Sequence, residues 1–241
     1  NKISFEWCHA VTDGRGAMAF LSALLADYFD VPANTDHSGT EPPFARYYDK
    51  TAHAPAIPNQ PLGYANRRVK ANGRGAGCLS HRYAIESGEL VSIARSLGAT
   101  PTALIAPLFS RALHECLPEQ LKKANVRFSI NIDTRIPMGF GTMHNAAIFE
   151  PVSYLPSYDD LDLRALCGVY KRLLDSYRQP DYIVSRCTAL IDDTDALYRM
   201  PAKNVSKAIM KAVVWWLKEH DTNAQLSYLG QLPFHPDVLK K

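Results

Sequence analysis

Between residues 3 and 28 the apolar pattern changes its period. Ile3, Phe5 and Trp7 alternate with Ser4, Glu6 and Cys8, the period of two that marks a half-buried strand. Beyond a polar, glycine-containing stretch from His9 to Gly16, the residues Ala17, Phe20, Leu21, Leu24, Leu25 and Tyr28 recur at helical spacing. The spacing predicts a helix that begins near Gly14, ends before Pro32 and uses that stripe as its apolar face. A strand that gives way to a helix within a few residues needs a sharp corner. Such a corner restricts the chain to folds that mix the two element types.

The remainder of the chain agrees with a mixed fold. From Asp30 to about Gly77 the composition turns to Pro, Gly, Asn and Ser without lasting periodicity, as expected of a long surface crossover. The run Asn72 to Gly77 contains alternating glycines but matches no phosphate-loop pattern and follows no strand, so it reads as a flexible turn. A short strand is expected around Leu79–Ile85. Two helices follow: one capped by Ser87 and closed by Gly98, with Leu90, Ile93, Ala94 and Leu97 inward, and one with Thr100 as N-cap and Pro101 in its first position. The second carries a stripe of Leu104, Ile105, Leu108, Phe109 and Leu113. Val126, Phe128, Ile130 and Ile132 then alternate as a strand that ends at Asn131–Arg135, and a further strand is expected at Ala146–Tyr154. Helical patterns cover roughly 159–177, 187–198 and 204–219, before a last short strand at Leu226–Gly230. The expected class is α/β or α+β.

Composition excludes several functions. The net charge is only +3 over 241 residues, which leaves no electrostatic footprint for nucleic acid. No apolar run approaches the length of a membrane span. The five cysteines (Cys8, Cys78, Cys116, Cys167 and Cys187) are scattered without CxxC spacing, so neither a zinc site nor a disulfide framework is indicated and a reducing, cytoplasmic setting is expected. The Asp groups at 159, 160 and 162 and at 192, 193 and 195 read as helix caps in preference to hard-metal ligands. Lys203, Lys207, Lys211 and Lys218 share a helix face that either meets an anionic phosphate or membrane surface or is simply solvated.

Chemistry concentrates at His9-Ala10-Val11-Thr12-Asp13-Gly14. A histidine on a stiff corner presents its imidazole at a fixed angle, and a neutral imidazole can take a proton from a hydroxyl or amine as it attacks a carbonyl. Asp13 is suited either to cap the following helix or to brace the corner. Cys8 precedes His9, but successive strand residues point to opposite faces, which disfavours a Cys–His nucleophile pair.

The run resembles the HxxxDG motif of the chloramphenicol acetyltransferase-like superfamily, which includes plant-type CoA acyltransferases, alcohol acetyltransferases and peptide-synthetase condensation domains. Three further segments fall in the order seen there. Gly98–Leu113 looks like the helix after the crossover, Asn131–Arg135 like the N-x-x-x-R strand end, and Leu226–Gly230 is similar to the late S-N-x-G strand. The resemblance implies a mixed-sheet sandwich with flanking helices, one part of a two-subdomain acyltransferase. Residues 1–30 would end an N-terminal subdomain, 31–77 would form the crossover, and 78–241 would belong to a truncated C-terminal subdomain.

The resemblance further implies His9 as general base, Asp13 paired with Arg135, Gly14 and Asn131 as structural members of the motifs, and Ser227 as a candidate for oxyanion stabilisation. It implies acyl-CoA as cosubstrate, a small alcohol or amine as acceptor, no metal and no permanently bound cofactor. Cys8 stands where many relatives carry a second histidine, Tyr228 stands where Asn is common, and the DFGWG motif is absent. These departures favour the alcohol acetyltransferase-type branch over condensation domains and the plant-type branch. A chain that opens inside a strand pattern is expected to lack an N-terminal portion of the same protein. Two alternatives stay open: a condensation-type domain using carrier-bound thioesters, and a non-catalytic binding relative.

Overall fold

A computed structural model describes residues 5–9, 11–33, 44–52, 82–198, 224–230 and 234–238. Its centre is an eight-residue strand, β1 (Val126–Asp133), whose burial alternates without a break. The even residues Val126, Phe128, Ile130 and Ile132 are buried, and the odd residues face the other way, half-exposed. β1 pairs antiparallel with β2 (Ala147–Tyr154), in the register Phe128 opposite Val152 and Asn131 opposite Phe149. On its other edge it pairs parallel with the short β3 (Ala224–Leu226), giving the order β2-β1-β3. Opposed residues share a face, so the register fixes one apolar face and one mixed face.

The apolar face is covered by three helices: α3 (Pro101–Glu115), α5 (Leu163–Tyr177) and α6 (Pro180–Tyr198). Phe128 is enclosed by Phe109 edge-on and by Tyr170 in a stack. α3 starts as its sequence dictates: the Thr100 side chain accepts the Ala103 N–H at 3.2 Å, and Pro101 fills a position whose N–H has no helical acceptor. The Asp162 carboxylate caps α5 by accepting the Ala165 N–H at 2.7 Å. α2 (Ser87–Ser96) packs on α3 through Ala94 and Leu104 and ends at Gly98, whose positive φ of 71° suits only glycine without strain. α1 (Gly14–Tyr28) lies at the corner discussed below, and a single helical turn, α4 (Arg135–Met138), follows β1.

Polar groups inside this core are paired. Glu150 lies on the buried face of β2, where it accepts from the Tyr182 hydroxyl and, at 2.7 Å, from Arg186 Nε. Ser110 and Tyr170 share a hydrogen bond of 2.7 Å, and burial pushes the Tyr170 phenol well above its ordinary range. Arg111 ties α3 to the loop after β2 by donating to the Tyr154 hydroxyl and the carbonyls of Tyr158 and Leu161.

Several expectations change. Residues 5–8 form no ladder; Phe5 instead stacks on Trp7 and on Phe20 of α1. Residues 82–85 are likewise irregular, with Tyr83 and Ile85 exposed. α2 is preceded by Glu86, so Ser87 is its first helical residue and not its cap, and Ile93 is exposed. The last strand is displaced to 224–226, leaving Ser227–Gly230 irregular. α6 begins at Pro180, so Asp192 and Asp193 lie within it, and Asp192 accepts from Tyr48 at 2.7 Å.

The apolar stripe on α1 is only partly inward: Ala17 is buried and Leu21 and Leu25 are half-buried. Gly16, Ala17, Ala19, Ser22 and Ala26 are buried, whereas Phe20, Leu24 and Tyr28 are 48%, 50% and 78% exposed. The crossover is partly structured: a 3₁₀ turn at Ala45–Tyr47 is followed by the Asp49 N–H donating to Thr188 on α6. The glycine run at 72–77, the helix at 204–219 with its lysine face, and residues 1–4 and 79–81 lie outside the described residues. No helix among the described residues is long and apolar enough to cross a membrane.

The core assignment is testable by truncation. Phe128→Ala is expected to lower the unfolding free energy by about 3–5 kcal/mol. Leu108→Ala, at a half-exposed position on α3, should cost no more than about 0.5 kcal/mol. Urea unfolding followed by circular dichroism measures both, and equal losses would contradict the burial pattern.

Candidate active site

The corner predicted at His9–Gly14 is built from main-chain turns and one carboxylate. The N–H groups of Val11 and Thr12 both donate to the Cys8 carbonyl, closing a turn around His9. Asp13 then has extended backbone geometry, and its Oδ1 accepts the Gly16 N–H at 2.8 Å, which starts α1. The same carboxylate meets Arg135 at the first position of α4. Arg135 Nη1 donates to Asp13 Oδ2 at 3.0 Å and Nη2 to Oδ1 at 3.1 Å. Both residues are buried. Capping and bracing, which are alternatives in the sequence, are performed together by one side chain.

This pair is saturated. The remaining guanidinium hydrogens go to Asp133 Oδ1, the Thr142 carbonyl and the His144 carbonyl, at 2.9, 2.9 and 2.7 Å. Asp13 Oδ2 accepts a further bond from the Ala146 N–H at 2.8 Å. A buried ion pair is stable only when its remaining donors and lone pairs are met in this way. The result locks three segments together: the corner, the end of β1, and the loop 142–146 that leads into β2.

Close approach at this junction explains its small residues. Thr12 Oγ1 donates to the Met143 carbonyl, and a Cβ on Gly16 would collide with that carbonyl and with Thr12 itself. Gly14 is less confined, since a Cβ there would meet only the tip of the Leu229 side chain, at 2.8 Å.

Beside the pair opens a polar cleft. Gly14 and Arg15 of α1, Asn131 and Asp133 of β1, Ala147 of β2 and the Ser227–Leu229 segment wall it, with Asp13 and Arg135 at its base. Asn131 Nδ2 donates to Ser227 Oγ at 3.4 Å, while its Oδ1 accepts from Gln225 at 2.9 Å. Arg15 Nη1 lies 3.3 Å from Asp133 Oδ2, an atom buried with no hydrogen bond among the described residues. The two carboxylates and two guanidinium groups balance in charge.

His9 is not among the residues that wall this cleft. It is exposed, with its ring tilted over Phe149 at a centroid distance of 6.5 Å. Phe149 is the direct cross-strand partner of Asn131, so His9 stands on the same sheet face as the cleft, one strand over. Cys8 is exposed, and His144 lies in the loop, where its carbonyl serves Arg135. Residues that the sequence did not single out also contribute: Gly16 and Thr12 permit the close approach, Asp133 links Arg135 to Arg15, and Asn145 donates to the His9 carbonyl at 3.1 Å. Among the described residues no group of three or more His, Cys, Asp or Glu side chains could hold a metal ion.

No protein-family model matches the chain, and no curated protein does. Among solved structures the chain is similar to the crystal structure of F. sporotrichioides TRI101 complexed with coenzyme A and T-2, at 12% sequence identity and a TM-score of 0.43. The likeness covers 76% of this chain and 44% of that one, so the chain spans less than half the length of that protein.

The lock can be tested through its partners. Asp13→Ala leaves the buried Arg135 with Asp133 as its one remaining carboxylate partner among the described residues and is expected to cost about 3 kcal/mol of stability. Gly16→Ala should be the more damaging of two glycine substitutions, by about 1–3 kcal/mol, because backbone blocks the new methyl group, whereas at Gly14 a leucine side chain can rotate away. Thermal unfolding of the variants measures the order, and a Gly14→Ala loss equal to that of Gly16→Ala would refute this account of the junction.

Proposed function

We propose that this chain carries the active-site portion of an acyltransferase that moves an acyl group from an acyl thioester to a small alcohol or amine. The observation that carries this reading is the buried, doubly hydrogen-bonded Asp13–Arg135 pair, which fixes the corner bearing His9 against the sheet beside a polar cleft. Anchoring the corner to the sheet is one requirement for presenting an imidazole along a defined direction, which positioning catalysis needs.

In the proposed reaction His9 takes the proton of the acceptor hydroxyl or amine as the acceptor attacks the thioester carbonyl. The oxyanion that forms needs a donor. Ser227 suits that role, because its Oγ accepts from Asn131 and its own proton can be given to a group in the cleft. Collapse of the tetrahedral intermediate releases the thiolate, which recovers the proton from the imidazolium. Acyl-CoA is the proposed donor. No metal and no covalent enzyme intermediate takes part, and Asp13, Gly14, Arg135 and Asn131 serve as structural supports. The scattered cysteines, of which Cys8, Cys116, Cys167 and Cys187 are free among the described residues, fit a cytoplasmic protein, and the resemblance to two-subdomain acyltransferases makes a further portion of the same protein the proposed partner of this one, in the alcohol acetyltransferase-type branch.

A second reading has its own observation. His9 is exposed and stands outside the cleft wall, as it would in a binding protein that keeps the fold without the chemistry.

Thiol release from acetyl-CoA by the full-length protein, the proposed further portion included, measured with a panel of alcohols and amines, separates the two readings. Acceptor-dependent release that falls by at least about 100-fold in His9→Ala is expected from the enzyme. Equal release by both proteins removes His9 as the general base, and none with either acetyl-CoA or carrier-bound donors leaves the binding role.

A further inference from the structure

Asn145 holds His9 through a contact that lies 136 residues away in the chain. Three of its polar groups are engaged at once. Its main-chain N–H donates to the Val11 carbonyl at 3.2 Å, its Oδ1 accepts the Ala147 N–H at 3.2 Å, and its Nδ2 donates to the His9 carbonyl at 3.1 Å. The second and third bonds fix the amide against a flip, since exchanging its oxygen and nitrogen would set donor against donor and acceptor against acceptor. The amide nitrogen therefore faces His9 by construction. His9 Nδ1 lies 3.5 Å from the same nitrogen, at the outer edge of hydrogen-bond range.

We infer that Asn145 is a positioning residue for His9, acting through the main chain. This rests on the reading of His9 as general base. The shorter bond, to the carbonyl, is the one with energetic weight. It fixes the His9 peptide plane, which sets the direction of the Cα–Cβ bond. With Nδ1 turned toward Asn145 and the ring leaning on Phe149, Nε2 is the nitrogen directed away from the loop. The Asp13–Arg135 pair secures the corner from residue 13 onward, and Asn145 clasps the part of the turn on the other side, at residues 9 and 11. Neither device alone fixes the imidazole.

Two variants separate this role from simple support of β2. Asn145→Asp keeps an oxygen for the Ala147 N–H and keeps the main-chain bond to Val11, but loses the donor to His9. Asn145→Ala loses both side-chain bonds. If Asn145 positions His9, both variants lower kcat for acetyl-CoA thiol release by about 10- to 100-fold with little change in KM. Both also change the His9 ring signals in the NMR spectrum, from one ordered set to a rotamer-averaged one. If Asn145 only supports the start of β2, Asn145→Asp retains wild-type kcat and wild-type ring signals, and the inference is overturned. Should the full-length protein, the proposed further portion included, release no thiol, the acyltransferase reading fails, while the His9 ring signals in the two variants still decide whether Asn145 orders the ring.

Discussion

A carboxylate and a guanidinium withdrawn from water together can be kept there only if the lone pairs and hydrogens that do not face each other also find partners, because desolvation otherwise exceeds their attraction. Asp13 and Arg135 meet that condition by recruiting the surrounding chain. The helix N-terminus gives Gly16 N–H, the loop gives Ala146 N–H and two carbonyls, and Asp133 supplies a second carboxylate contact. The partners come from segments far apart in sequence, so their convergence fixes the start of α1, the end of β1 and the start of β2 relative to one another. The small residues at the junction follow from this. Thr12 and Gly16 must lie against the Met143 carbonyl if the carboxylate is to reach its partners.

The sheet and its helical cover were readable because their periods are strong and their ends are chemically marked. Val126 to Ile132 alternates cleanly, and the Thr-Pro pair at 100–101 marks the start of α3 by the one side chain that caps and the one residue that lacks an N–H. α1 shows where periodicity misleads. Its extent is legible, but its orientation only in part: Gly16 lies against the Met143 carbonyl, Ala19, Ser22 and Ala26 are buried, and Phe20, Leu24 and Tyr28 are turned outward. Residues 5–8 differ again. Alternation reports which side chains share a face, whereas a strand also needs main-chain partners along an edge, and residues 5–8 form no ladder.

At the candidate site, the pairing of Asp13 with Arg135 was an implication of the family resemblance and not of the residues themselves. Local pattern left capping and bracing as alternatives for Asp13, because its bonds from Arg135 and Ala146 come from segments far away in the chain. Asn145 had no local signal at all. Its side chain bonds to main-chain groups, and main-chain acceptors carry no sequence signature. Asn131 and Ser227 illustrate an intermediate case. Each stood in a segment with a recognisable pattern, but their mutual hydrogen bond depends on β3 lying parallel to β1.

The position of His9 gives the two functional readings different requirements. A binding protein that uses the polar cleft needs the Asp13–Arg135 lock, since that pair forms the cleft base, but it has no need for an ordered peptide at His9, which contributes nothing to the walls. The hydrogen bonds from Asn145 to residues 9 and 11 would then order an exposed turn for no gain, against a conformational entropy cost of about 1–2 kcal/mol per residue fixed. A general base requires that order, because its nitrogen must meet the acceptor at hydrogen-bond distance and at a defined angle. The path from His9 to Phe149 on β2, and from its cross-strand partner Asn131 to Ser227, keeps these residues on one face of the sheet.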